Sequence, residues 1–318
     1  MEIMHSSIQI GNSDLHVSPI GVGAWQWGEN VMWGRGKNYI EGDAEAAFSA
    51  SVKAGVTFFD TAEMYSRGDS ERILGACIKT TDKRLVIASK FAPLPTRIGR
   101  RTVLRALDDS LSRLGLSCID LYQVHWPFPL IPIEMLMDIL ADAVAAGKVR
   151  YIGVSNYSAE QMRRAHAALA KRGLPLVSNQ VKYSLFYRRP EVDGVWDACR
   201  ELGVTLIAYS PLAQGLLSGK YSTDAPLPFP RRIMPEYNSA MLTRIQPVLQ
   251  TLQKIGQGHG GKTQAQVALN WLARQPSVLP IPGAKNAAHA EANAGAIGWD
   301  MTDDEADSLS ESTLSWRH

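Results

Sequence analysis

Residues 85–125 read LVIASKFAPLPTRIGRRTVLRALDDSLSRLGLSCIDLYQVH, and their pattern decides the fold. The apolar run at 85–89 has strand character and ends on Lys90; a second run at 119–124 ends on His125. Between them Leu104, Leu107, Leu111 and Leu114 recur at spacings of three and four, the period of an amphipathic helix. The basic cluster at 97–105 opens that helix and reads as its solvated face. Strand, helix and strand in this order imply a parallel pair.

The same rhythm extends in both directions. Strand-like runs at 20–22, 56–59, 149–154, 176–180, 204–208 and 278–281 bring the number to eight. Leu136, Ile139, Leu140, Ala143 and Val144 give residues 133–146 a helical face. Gly55, Gly147, Gly173 and Gly203 follow helices where a C-terminal glycine is expected. Eight strand–helix units predict an α/β fold, a closed (β/α)8 TIM barrel, with residues 1–318 as one domain. Residues 8–10 and 15–17 flank Gly11–Asn12–Ser13–Asp14 as an N-terminal β-hairpin. The rhythm breaks once, at a proline-rich stretch, 219–238, followed by an extra helix over 240–255.

Composition narrows the partners. The 318 residues are 45% hydrophobic and 20% charged, with a formal net charge of +2 and no like-charge block. Neither a nucleic-acid groove nor an anionic membrane surface is expected. Cys77, Cys118 and Cys199 lie far apart, against a disulfide framework or a cysteine zinc site, and no HExxH spacing suggests a metal. The N-terminus lacks the pattern of a signal peptide, and no apolar run approaches the roughly 20 residues that span a bilayer. A cytoplasmic location is expected. Residues 256–263, GQGHGGKT, satisfy the P-loop pattern, but the preceding segment reads as helix rather than strand. They are better read as an interhelical turn, with Thr263 and Gln266 forming a capping box. The GxG at Gly21–Gly23 lacks a third glycine and a βαβ setting.

Sites in such barrels sit at the C-terminal ends of the strands. Here successive runs end on Asp60, Lys90, His125, Ser155–Asn156, Gln180 and Tyr209–Ser210. Each alone has a bland reading: Asp60 as a helix cap, Lys90 as a rim lysine, His125 as a core histidine, Tyr65 as a loop aromatic. Gathered at one rim, they suit proton transfer. A tyrosine of ordinary pKa about 10 is a poor donor near neutrality, and an adjacent ammonium such as Lys90 should lower that value. Asp60 would keep the lysine charged, and His125 would hydrogen-bond an oxygen gaining negative charge. An acid and an oxyanion site without a nucleophile suit hydride addition to a carbonyl, with the hydride drawn from a cofactor.

The segments FFDTAEMYS (58–66), VIASKF (86–91), DLYQVHWP (120–127), IGVSNYS (152–158), NQVKYS (179–184), YSPLAQGLLSGKY (209–221) and LPIPGAKN (279–286) resemble the aldo-keto reductase superfamily in sequence and in order. They are most similar to bacterial and chloroplast members that share IPGAKN. The resemblance implies Asp60, Tyr65, Lys90 and His125 as the catalytic tetrad, with Tyr65 as proton donor, and NADPH as cofactor. It implies that Gly23 and Trp25 floor the nicotinamide pocket, that Ser155, Asn156 and Gln180 hold the carboxamide, and that Tyr209 stacks on the ring. Ser210, Pro211, Leu212, Gln214, Gly215, Leu217 and Lys220 fall in the pyrophosphate segment. Ile281, Gly283, Ala284, Lys285, His289 and Asn293 fall in the segment that receives the adenosine 2′-phosphate. His289 stands where arginine or glutamine is common, and Ala292 where an adenine-binding glutamate is common. Trp25, Trp33, Phe91 and Trp126 would wall an aromatic, apolar pocket for a small-molecule carbonyl substrate. Pyridoxal, short-chain aldehydes, dicarbonyls and bulky aromatic ketones all fit that description. Two rivals stand beside a reductase: a cofactor-binding regulatory or sensor subunit with little turnover, and a Schiff-base lyase using Lys90.

Overall fold

The computed structural model describes residues 7–28, 42–221, 226–227, 229 and 231–317. A two-stranded antiparallel hairpin, β1 (Ile8–Gln9) and β2 (His16–Val17), precedes eight parallel strands. These are β3 (Val22–Gly23), β4 (Phe58–Asp60), β5 (Val86–Phe91), β6 (Ile119–Val124), β7 (Val149–Ser155), β8 (Leu176–Lys182), β9 (Thr205–Tyr209) and β10 (Val278–Pro280). They follow one another in sequence order across the sheet. The Gly21 N–H donates to the Pro280 carbonyl (2.9 Å) and the Gly23 N–H to that of Pro282 (3.1 Å), which joins the first strand to the last and closes the barrel.

The helices are α1 (Asp43–Lys53), α2 (Asp69–Ile78), α3 (Arg100–Leu114), α4 (Ile133–Ala145), α5 (Ala159–Ala170), α6 (Val195–Leu202), α7 (Ser239–Gly258), α8 (Gln264–Ala273), α9 (Ala287–Ala294) and α10 (Asp303–Ser312). Leu107, Leu111 and Leu114 of α3 are buried, as their spacing requires. Thr263 and Gln266 form the expected reciprocal cap of α8. The glycine-rich segment before it begins inside α7, so a strand-preceded phosphate loop is absent there. A Cβ on Gly256 would stand 1.9 Å from the Lys262 carbonyl oxygen, which accounts for one of its glycines as a close backbone approach.

Alternation along the strands builds two cores. Outward residues pack against the helices. Inward residues Phe58, Val86, Ala88, Leu121, Ile207 and Leu279 meet Ile10, Leu15 and Val17 of the hairpin in a second, smaller cluster. The hairpin is tied to the barrel floor by the Gly11 N–H, which donates to Thr205 Oγ1 (2.7 Å), and by the Arg150–Asp14 ion pair (2.8 Å). One end of the barrel is therefore stoppered, and among the described residues the cleft lies at the opposite end.

Candidate active site

Two residues further along each strand, the inner face changes from apolar to polar. Phe58 gives way to Asp60, Ala88 to Lys90, Leu121 to Gln123 and Ile207 to Tyr209. The period-two geometry of a strand thus lifts a polar layer directly above the apolar floor.

Lys90 and Asp60 are both almost fully buried and form an ion pair. Lys90 Nζ also donates to the Thr61 carbonyl (2.8 Å) and to Tyr65 Oη (3.3 Å). An ammonium has three protons, so all of them are committed. Burial pulls the Lys90 pKa down, but Asp60 and Tyr65 outweigh it and the net direction is upward. A charged lysine so engaged has no lone pair for Schiff-base attack, which counts against the lyase reading. The second Asp60 oxygen accepts from Gln180 Nε2 (2.8 Å) and Gln123 Nε2 (3.0 Å).

Tyr65 departs from expectation. Burial raises its pKa above the usual 10.0, and the lowering by Lys90 offsets this only in part, with Asp60 adding a further rise. The ammonium works in the expected direction, yet desolvation of a phenolate wins. The His125 ring stands edge-on to Tyr65, with centroids 5.7 Å apart. Burial, and secondarily Lys90, lower the His125 pKa to about 3, so the imidazole is neutral across the physiological range. Its Nδ1 is buried without a hydrogen-bond partner among the described residues.

These groups line or underlie a cleft of about 1510 Å³ at the open mouth. Of the residues singled out above, Gly23, Trp25, Asp60, Tyr65, His125, Trp126, Ser155, Asn156, Gln180, Tyr209, Ser210, Pro211, Leu212, Gln214, Gly215, Lys220, Ile281, Gly283, Lys285, His289 and Asn293 all line it. Ser155 Oγ donates to the Gln180 carbonyl (2.8 Å), Asn156 Nδ2 to Ser155 Oγ (3.1 Å) and Tyr209 Oη to Asn156 Oδ1 (3.0 Å), one connected rim. Asn156, Ser210, Ala213 and Gln214 all hold positive φ, backbone strain concentrated where the cleft is shaped.

Three assignments are corrected. Phe91 is fully buried in the outer core with the Arg97 guanidinium 5.0 Å above its ring, and it does not wall the cleft. Neighbours on a strand point to opposite faces, so an inward Lys90 sends Phe91 outward. Leu217 and Ala284 are likewise fully buried beneath the cleft rather than in its lining; the Ala284 carbonyl accepts from Trp27 Nε1 (2.8 Å). Trp33 lies outside the described residues.

Sequence reasoning missed Gln26, Gln123, Lys182 and Arg231. Strand alternation down from His125 would have flagged Gln123 as inward. Arg231 lies in the proline-rich segment, which has no period to read. Its guanidinium donates to Tyr237 Oη (3.3 Å) and the Gln214 carbonyl (3.2 Å) and lies 4.9 Å over the Tyr221 ring.

The two ends of the cleft differ in charge. Lys220, Arg231, Lys285 and His289 lie close to one another in the lining, Lys182 beyond Gln180 is paired with Glu236 (3.8 Å), and the only carboxylate in the described lining is Asp60, already paired. Such a cleft fits an elongated anion with one neutral end among the Gln180–Asn156 amides. The buried Gln26 Oε1, without a partner among the described residues, adds an unmet acceptor beside Gly283. No group of acidic, histidine or cysteine side chains among the described residues could hold a metal ion. No helix there is long and apolar enough to cross a membrane.

Comparison with known proteins agrees with this geometry. The sequence model of the Aldo/keto reductase family matches residues 19–313. The chloroplastic pyridoxal reductase of Arabidopsis thaliana is 38% identical over 304 residues, covering 92% of this chain and 82% of the relative. Among solved structures, a glycerol dehydrogenase from Gluconobacter oxydans superposes with a TM-score of 0.85 at 26% identity, over 98% of this chain and 95% of that one. An aldo/keto reductase from Klebsiella pneumoniae in complex with NADP and acetate gives 0.75 at 28% identity, over 96% and 94%.

Proposed function

The chain belongs to the Aldo/keto reductase family, and from that premise we propose that it reduces aldehydes or ketones to alcohols with NADPH. The single observation that carries this reading is the Asp60–Lys90–Tyr65 chain at the foot of a cleft whose far end is cationic. NADPH, when bound, supplies the hydride. Ser155, Asn156 and Gln180 would hold its carboxamide, Tyr209 its ring face, and Lys220, Lys285 and His289 its phosphates.

The protein's own part is binding, orientation and proton supply. Tyr65 presents its hydroxyl to the substrate carbonyl oxygen and gives it a proton. The Lys90 ammonium, 3.3 Å from that hydroxyl, stabilises the phenolate left behind. Asp60 keeps the ammonium charged and fixed. Neutral His125 donates a hydrogen bond to the same carbonyl oxygen as charge gathers on it. Trp25 and Trp126 flank the approach and give it an apolar, aromatic character.

The test is NADPH oxidation against a panel of aldehydes and ketones, with Tyr65→Phe in parallel. Pyridoxal heads the panel because of the chloroplast relative's name, followed by short-chain aldehydes, dicarbonyls and aromatic ketones. Turnover of at least one compound, lost in the variant, is the expected result. Tight NADPH binding without turnover on any compound would sink the reductase reading in favour of a sensor or regulatory subunit.

A further inference from the structure

Gln123 belongs to none of the roles given above, yet it is fully buried at the centre of the polar layer. Its Cα is paired with Lys90 on β5 and with Gly153 on β7. The barrel makes room for it: a Cβ on Gly153 would lie 3.0 Å from Gln123 Cγ and 2.2 Å from Ser178 Oγ. Its amide nitrogen donates to Asp60 Oδ2 (3.0 Å), and its Oε1 accepts from Gln180 Nε2 (3.3 Å). Gln180 Nε2 donates to the same Asp60 oxygen (2.8 Å).

This triangle fixes the orientation of both amides. A carboxylate oxygen only accepts, so each amide must turn its nitrogen toward Asp60. With the Gln123 nitrogen so placed, its oxygen is left to receive the other Gln180 proton. Turning Gln180 over would set its oxygen against Asp60 Oδ2 and Gln123 Oε1 at once. Gln180 lines the cleft, so the end it has left to offer there is its carbonyl oxygen.

We propose that Gln123 is a positioning residue of the reduction: it locks the Gln180 amide with its acceptor end toward the cofactor carboxamide, and it steadies the Asp60 carboxylate that holds Lys90 beneath Tyr65. One buried amide thereby serves both cofactor recognition and the proton donor, and a bound carboxamide is linked through Gln180 and Asp60 to Lys90. The inference rests on the reading of Tyr65 as proton donor and of Gln180 as carboxamide ligand.

The test compares Gln123→Met and Gln123→Glu with wild type, reading NADPH and NADH dissociation constants by tryptophan fluorescence and the pH profile of kcat. Methionine keeps the volume and removes both polar contacts. The dissociation constants for NADPH and NADH should rise together, roughly tenfold, because the carboxamide is common to both. The alkaline limb of kcat should move to higher pH, since an Asp60 with one donor fewer draws harder on the Lys90 proton and the ammonium then stabilises the phenolate less. Glutamic acid keeps donor and acceptor while protonated and loses the donor on ionising. That variant should resemble wild type at low pH and lose NADH affinity and kcat as pH rises through a range where wild type is flat; it also carries the test if the methionine variant does not fold. Wild-type affinities and pH profiles in the folded variants, with only a lower Tm, would overturn the proposal. Tyr65→Phe is measured alongside. Full turnover there would mean that the reading of Tyr65 as proton donor had failed, whereas its loss beside unaffected Gln123 variants would refute the positioning role alone.

Discussion

The ammonium of Lys90 lies 3.3 Å from the hydroxyl of Tyr65, and its remaining protons are spent on Asp60 and the Thr61 carbonyl. That relationship makes Lys90 a fixed charge rather than a mobile proton carrier. Tyr65→Phe is expected to lower kcat by about 10²–10⁴-fold, the usual contribution of a general acid. NADPH affinity should barely change, because the ring is retained. Lys90→Met goes further, leaving Asp60 buried without its ion-pair partner at a cost of about 3–5 kcal/mol. Thermal denaturation of that variant should show a lower Tm, whereas Tyr65→Phe should not.

Neutral His125 has a consequence for pH. Its folded pKa of about 3 lies below the usual 6.5, so the unfolded chain binds the proton first as pH falls. This residue's contribution to stability is complete above 6.5 and is lost between 6.5 and about 3. Urea titrations across that window should show a shallower decline for His125→Gln than for wild type. For the same reason kcat should lack an acid limb near 6.5. A limb there that vanishes in His125→Gln would mean that the imidazolium form takes part.

The cationic end of the cleft should set the choice between NADPH and NADH. Lys285→Ala is expected to weaken NADPH by about tenfold or more and NADH far less, since only NADPH carries the 2′-phosphate. Equal losses would remove the assignment. Burial, then Lys220 and Lys285, lower the pKa of His289, and a dianionic phosphate would oppose that lowering. NADPH binding should therefore take up a proton. The NADPH/NADH affinity ratio should fall as pH rises through the titration of His289, and His289→Gln should flatten it; calorimetry in buffers of different ionisation enthalpy reads the proton directly.

Away from the mouth, Glu71 is fully buried and takes hydrogen bonds from Ser89 Oγ (2.5 Å) and Arg113 Nε (2.6 Å). Arg113 reaches it across Gly68, where a Cβ would stand 2.6 Å from the arginine side chain. Arg113→Ala strands a buried carboxylate and should cost about 3–5 kcal/mol in chemical denaturation. Adding Glu71→Gln should recover much of the loss by removing the unpaired charge. If the double variant is no more stable than the single one, the penalty lies in packing instead.

How much of this could be read from the residues depends on which force decides each point. Alternation and helical period are local, so the eight strands, the hairpin and the polar strand ends at Asp60, Lys90, His125 and Gln180 were legible. Phe91 was misplaced although the same alternation, applied from Lys90, sends it to the helical side. Gln123 went unnoticed because a glutamine within an apolar run carries no charge to attract attention. The direction of the Tyr65 shift was not legible, because it is a contest between burial and a nearby charge, and only the folded geometry fixes the depth. Arg231 sits on a stretch where contacts with Tyr221 and Gln214, rather than any repeat, set its place.

The hairpin packed against the barrel floor has one more effect. A vessel sealed beneath can be wetted only from above. Any molecule that fills the mouth is then also its cork, and drives out the solvent that reaches Tyr65. Dryness at the deepest point is thus conferred by the visitor itself, at the moment when an unshielded charge beside Tyr65 counts for most.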